Sequence, residues 1–346
     1  MNAKLLTCLP YVNHVDRAEG AVQTRLTKRL GIEHPIISAP MGTAAGGRLA
    51  AAVSSAGGLG LIGGGYGDAE WLEREFEAAG HARVGCGFIS WSLAQKPQLL
   101  DMVLAHEPAA VMLSFGEVAP FGQRVKAVGA MLVCQVQTLA MAREAVAAGA
   151  DVVVAQGAEA GGHGVERATF TLVPEIADYL SGAAPDTLLV AAGGVADGRG
   201  LAAALMLGAD GVLVGTRFWA STEALVPPGF HTAAVAADGD STLRTTVVDI
   251  VRRYGWPAAF TARVLKTRFA MDWHGRESAL AEPATLEHEE ARFANAFKAG
   301  YADEACVFAG EAVGLVRDIA PAGEILGRMV REAENLFGKA SGMRST

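Results

Sequence analysis

Eight short apolar runs, each closed by a glycine-rich or polar turn and followed by a stretch with helical spacing, constrain this chain more than anything else. They read PIISAP near 35, GLGLIGG near 58, RVGCGFI at 83, AAVMLSFG at 109, AMLVCQV at 130, DVVVAQG at 151, TLLVAAGG at 187 and GVLVGT at 211. Most start roughly 20 to 27 residues apart, with one longer gap after the sixth. The runs are continuous rather than alternating, which means burial on both faces and so a parallel sheet. Eight β/α units over roughly 200 residues predict an α/β fold of the (β/α)8 barrel type. An internal echo agrees: EAVAAGADVVVAQG (144–157) and AAALMLGADGVLVG (202–215) share a helix end, a Gly-Ala-Asp turn and a buried strand. Gly149 and Gly208 suit the left-handed residue that ends a helix.

After the eighth run the rhythm changes. The barrel is expected over 21–221, a helical subdomain inserted after strand eight and covering the active site over 222–305, and C-terminal helices packing back on the barrel over 306–340. In the last segment Leu326, Met329, Val330, Ala333, Leu336 and Phe337 recur at three-to-four-residue spacing, an amphipathic helix. Residues 1–20 show no persuasive pattern and are expected to be loosely ordered.

Composition removes several partner classes. The net charge is −8 with no basic cluster, which speaks against nucleic acid and anionic membranes. The longest uncharged stretch, Leu49 to Gly67, is studded with glycines and reads as no spanning helix. Cys8, Cys86, Cys134 and Cys306 lie far apart with no metal-ligand spacing, and reduced thiols are expected. The start of the chain, LLTCLPYV before NHVDRAEG, is too weak for a signal peptide. The reading is a soluble cytoplasmic protein, with no catalytic metal, compatible with a homo-oligomer.

In such barrels the chemistry sits in the loops after the strands. Three glycine clusters fall there: APMG (39–42) after strand one, AAGGVADGRG (191–200) after strand seven and VGTRF (214–218) after strand eight. The last two occupy the usual phosphate position, where backbone N–H groups converge on an anion. Pro40 and Met41 suit either a planar ring or core packing below the mouth. His163, in VVVAQGAEAGGHG after strand six, is the candidate base, since imidazole is the commonest proton-transfer group near neutral pH. Gln156 offers a donor and an acceptor to a heterocycle edge, and Glu159 either orients His163 or is a solvated loop acid.

PIISAPMG, SSAGGLGLIGGG, AQGAEAGGHG and AAGGVADGRGLAAALMLGADGVLVGTRF resemble, in order and spacing over about residues 24–220, the FMN-dependent nitronate monooxygenase family, long called 2-nitropropane dioxygenases. The resemblance implies FMN across the barrel mouth. Pro40, Met41 and Gly42 would lie by the isoalloxazine ring, with Gln156 and Gly161 touching it. Gly194, Leu213, Val214, Gly215 and Thr216 would bind the phosphate end. Gly162, Gly193 and Gln135 complete the expected cofactor set. The resemblance makes His163 the catalytic residue, which in some members takes the proton from a nitroalkane carbon. It implies a nitronate or nitroalkane substrate, O2 as co-substrate, and a carbonyl compound and nitrite as products. Two positions depart: many members carry asparagine where Gly87 stands, and some a lysine where Gln135 stands.

The same motifs resemble the flavin-dependent, NADH-using enoyl-acyl-carrier-protein reductase. VGCGFISWSL and the long post-barrel segment favour the monooxygenase. A non-catalytic flavin carrier fits the two departures, but not the presence of His163. A relative of inosine-monophosphate dehydrogenase would need a cysteine after strand six, and none is there.

Overall fold

A computed structural model describes residues 17–18 and 21–342 of the chain. Apart from Arg17–Ala18, which pairs antiparallel with Ala21–Val22, the expectation for residues 1–20 lies outside the described residues, as does Cys8. All eight expected strands form: β1 Ile36–Ser38, β2 Leu61–Gly65, β3 Gly85–Ile89, β4 Ala110–Ser114, β5 Met131–Val136, β6 Val152–Gln156, β7 Leu188–Ala192 and β8 Gly211–Val214. They run parallel in the spatial order β1-β8-β7-β6-β5-β4-β3-β2. A parallel bridge between Ile37 and Leu59 joins the two ends and closes the barrel.

The double burial read from the apolar runs has a simple cause. Alternate residues face two different cores. Ile37, Leu61, Met112, Val133, Val154 and Val190 fill the barrel interior, together with Leu26 and Leu30 of the helix Arg25–Leu30. The other register, such as Cys86, Val111, Val153 and Val212, packs outward against the surrounding helices. The C-terminal helix Ala322–Gly342 buries Leu326, Met329, Val330 and Ala333 in this outer layer. It rides so closely on the helix Gly198–Met206 that a Cβ on Gly198 would sit 2.5 Å from the Met329 carbonyl oxygen.

The segment after β8 is mostly helical, with a core of its own that includes Phe230, Val248, Phe269 and Phe293. It also contains a hairpin that the sequence reading missed, β9 Thr242–Thr245 and β10 Thr261–Leu265. The outer edge of β10 pairs antiparallel with a three-residue strand, Gly162–Gly164, in the loop after β6. His163 lies directly opposite Ala262 in that ladder. The longer gap between the sixth and seventh strands is thus filled by this loop and the helix Thr169–Ala183.

Candidate active site

The loops at the C-terminal ends of the strands surround a cavity of about 870 Å³. Pro40, Met41, Gly42, Gln135, Gln156, Gly161, Gly162, His163, Gly193, Gly194, Leu213, Gly215 and Thr216 all line it. Val214 does not. The period of two along β8 turns Leu213 inward and Val214 into the outer core, and the Val214 carbonyl accepts from the Ala39 N–H at 2.9 Å. Its side chain has no access to a ligand in the cavity.

The floor near β7 and β8 is backbone. Gly193 and Gly194 have φ of +98° and +77°, a region that side-chain-bearing residues rarely enter. The Thr216 hydroxyl accepts from the Gly310 N–H at 2.9 Å, tying the loop after β8 to the chain returning from the inserted segment. The adjoining wall, at the ends of β5 and β6, carries a glutamine cluster. Gln156 Oε1 accepts from Gln135 Nε2 at 3.1 Å and from Gln137 Nε2 at 2.8 Å. Its acceptor is therefore occupied, and its N–H groups are what remain for a ligand. That corrects the expectation of a donor and an acceptor together. Gln137 had no motif to announce it.

Of the glycines around His163, Gly162 answers to a left-handed φ of +73°, and Gly161 and Gly164 answer to close packing. A Cβ on Gly161 would lie 2.6 Å from the Gly310 nitrogen, and one on Gly164 would meet Arg244 Nη2 at 2.9 Å. Arg244 donates to the Gly164 and Ala158 carbonyls at 3.1 and 3.2 Å, and Arg263 donates to Ala158 at 2.9 Å. Two arginines of the hairpin thus hold the loop by its backbone.

His163 itself is buried. Its Nε2 lies 2.9 and 3.0 Å from the two carboxylate oxygens of Asp249, in the helix Val247–Val251. The Trp256 ring stacks on the imidazole, with centroids 3.4 Å apart and planes 5° from parallel. Phe115 meets it edge-on at 6.3 Å. Burial lowers the His163 pKa below the ordinary imidazole value, and the Asp249 carboxylate opposes that shift. Glu159 is not the orienter: its carboxylate accepts from the Thr169 N–H and hydroxyl, capping the helix that follows. Asp249 and Trp256 are 86 or more residues beyond His163, so no local spacing could connect them to it.

Gly87 has a steric reason. A Cβ there would stand 2.2 Å from Pro40 Cγ, so the ring of Pro40 fills the space a side chain would need. Cys86, Cys134 and Cys306 are buried free thiols, and burial pushes those of Cys134 and Cys306 up to about 12. None lines the cavity. Among the described residues, no group of three or more His, Cys, Asp or Glu could hold a metal ion. No described helix is long and apolar enough to cross a membrane.

A closed parallel barrel with a glycine floor at strands seven and eight, and a buried histidine at its mouth, defines a barrel enzyme that works on a ligand at the strand ends. The sequence model of the nitronate monooxygenase family matches residues 23–84 and 88–332, and the chain belongs to that family, a group of flavin-dependent oxidoreductases. The break in the match, 85–87, contains Gly87. Nitronate monooxygenase npaC of Metarhizium robertsii is 37% identical over 84% of this chain and 88% of its own. A nitronate monooxygenase of Neurospora crassa is 32% identical over 95% and 98%. Among solved structures, FabK of Thermotoga maritima superposes with a TM-score of 0.81 at 32% identity, over 93% of this chain and all of that one.

Proposed function

We propose that the protein is an FMN-dependent nitronate monooxygenase, oxidising alkyl nitronates with O2 to carbonyl compounds and nitrite. The observation that carries the reading is His163, buried at the mouth of a glycine-floored cavity and paired with a carboxylate, in a chain of this family. The donor set suits FMN. The left-handed backbone at Gly193 and Gly194, with Gly215 and Thr216, would hold the phosphate. Pro40, Met41 and Gly42 would lie by the flavin ring, and Gln156 would offer it N–H donors. FMN held there would supply the redox chemistry between substrate and oxygen. The protein's own contribution is to hold the small molecule against His163, exclude water with the aromatic wall, and manage one proton. A neutral imidazole, favoured by burial, is the form able to accept it.

FabK, a flavin-dependent enoyl-acyl-carrier-protein reductase, sustains a second reading through its coverage and TM-score. One experiment separates the two. The purified yellow protein is given propionate 3-nitronate in air while nitrite and oxygen uptake are followed, and NADH anaerobically while flavin absorbance is followed. Nitrite release with NADH inert supports the monooxygenase. Bleaching by NADH with an inert nitronate transfers the assignment to the reductase, and a colourless protein that takes up no FMN overturns the cofactor.

A further inference from the structure

We propose that Asp249 is a positioning residue that fixes His163 in the Nε2–H tautomer, making Nδ1 the atom that takes the α-proton of a neutral nitroalkane. This rests on the nitronate-oxidising reading. The family resemblance gives His163 the proton, but not which nitrogen takes it or what holds that nitrogen in place.

The geometry supplies both. An ionised carboxylate only accepts hydrogen bonds, so with both Asp249 oxygens at 2.9–3.0 Å the hydrogen belongs on Nε2. A neutral imidazole has one N–H, so the lone pair is on Nδ1. That atom makes no hydrogen bond to the described residues, and the ring lines the cavity. Neither partner is free to turn. Asp249 stands in a helix whose Val247, Val248 and Val251 are fully buried, and its own carbonyl accepts from the Tyr254 N–H at 2.9 Å. Trp256 covers one imidazole face, and the backbone of His163 is paired in the ladder with β10.

The step balances without a further reactant. The α C–H bond breaks, its proton passes to Nδ1, and its electron pair forms the C=N bond while the nitro oxygens take the negative charge. The imidazolium so formed lies against the Asp249 carboxylate, which is strongest where positive charge develops. A substrate already supplied as the nitronate needs none of this.

The test uses that difference. Holoenzyme forms of the wild type, Asp249→Asn and His163→Ala are assayed with freshly dissolved nitroethane and with ethylnitronate. The readout is the ratio of the two kcat/KM values, which the amount of folded enzyme does not move. In Asp249→Asn the ratio of nitroethane to ethylnitronate should fall by about 10²-fold, with a larger isotope effect on α-deuterated nitroethane. Should that variant lose its flavin, Asp249→Glu takes its place. Its longer carboxylate displaces the ring from its position, and the ratio should again fall. An unchanged ratio, or a wild type that oxidises ethylnitronate but not nitroethane, overturns the proposal. A wild type inert to both overturns the nitronate reading beneath it.

Discussion

Adding one methyl group at Gly87 tests whether the departure at this position is built into the barrel mouth. The new Cβ would stand 2.2 Å from Pro40 Cγ, 2.6 Å from Pro40 Cβ and 3.5 Å from Met112 Cβ. Carbon atoms rest at about 3.5–4.0 Å, so only the Met112 contact is tolerable. The proline ring cannot rotate aside, because it is closed onto its own backbone. The loop after β1 has to move instead. Overpacking of this kind costs about 1–3 kcal/mol, and at about 1.4 °C per kcal/mol for a chain of this size Gly87→Ala should lower Tm by about 1–4 °C. Pro40 also lines the cavity, so the displaced loop should weaken flavin retention. The assay is thermal unfolding of the holoenzyme with released flavin read in parallel, completed as a cycle with Pro40→Gly. In that background both offending carbons are gone, and Gly87→Ala should cost much less, with a coupling of about 0.5–3 kcal/mol. An equal loss in both backgrounds, or no loss in the wild type, refutes the steric account.

Three other outcomes are expected. His163→Ala should keep its flavin and lose about 10²–10⁴-fold in turnover of nitroethane; unchanged steady-state rates would remove the imidazole from the mechanism. Gly194→Val forces a β-branched residue to a φ of +77° in the floor of the cavity, a strain of about 1–3 kcal/mol, and should cut FMN occupancy, measured by absorbance after gel filtration; full occupancy would contradict the cradle. Nitroethane turnover should be lost as pH falls, with a midpoint below the ordinary imidazole value of 6.5, because burial favours the neutral base. Asp249 raises that value while Arg252 and Arg244 lower it, so Asp249→Asn should move the acid limb further down; a shift upward in the pH profile would reverse the sign of the argument.

The barrel was legible because its strands are buried on both faces, so a local pattern reports a global fact. The glycine floor was legible for a related reason: left-handed backbone selects glycine, and the selection is written at the residue itself. The hairpin left no such mark. Thr242–Thr245 is buried only at its ends, and TARVL sits in a stretch of good helix formers. What makes it a strand is the partner on each side. Asp249 was hidden in the same way. In VVDIVRR an acid among valines reads as the polar edge of a helix, and only the folded chain brings it to His163. Val214 failed for the opposite reason, since a motif was carried over whole where the strand period divides it between two cores.

The three-residue strand holding His163 joins the hairpin of the inserted segment rather than the barrel sheet. Responsibility at the mouth is therefore divided by origin: the glycine floor belongs to the barrel, while the partner and the cover of the histidine arrive with the insert. Such a molecule can exchange one half of its working surface and keep the other. A shared barrel can then serve different reactions in different relatives, with the insert as the part that evolution is free to rewrite.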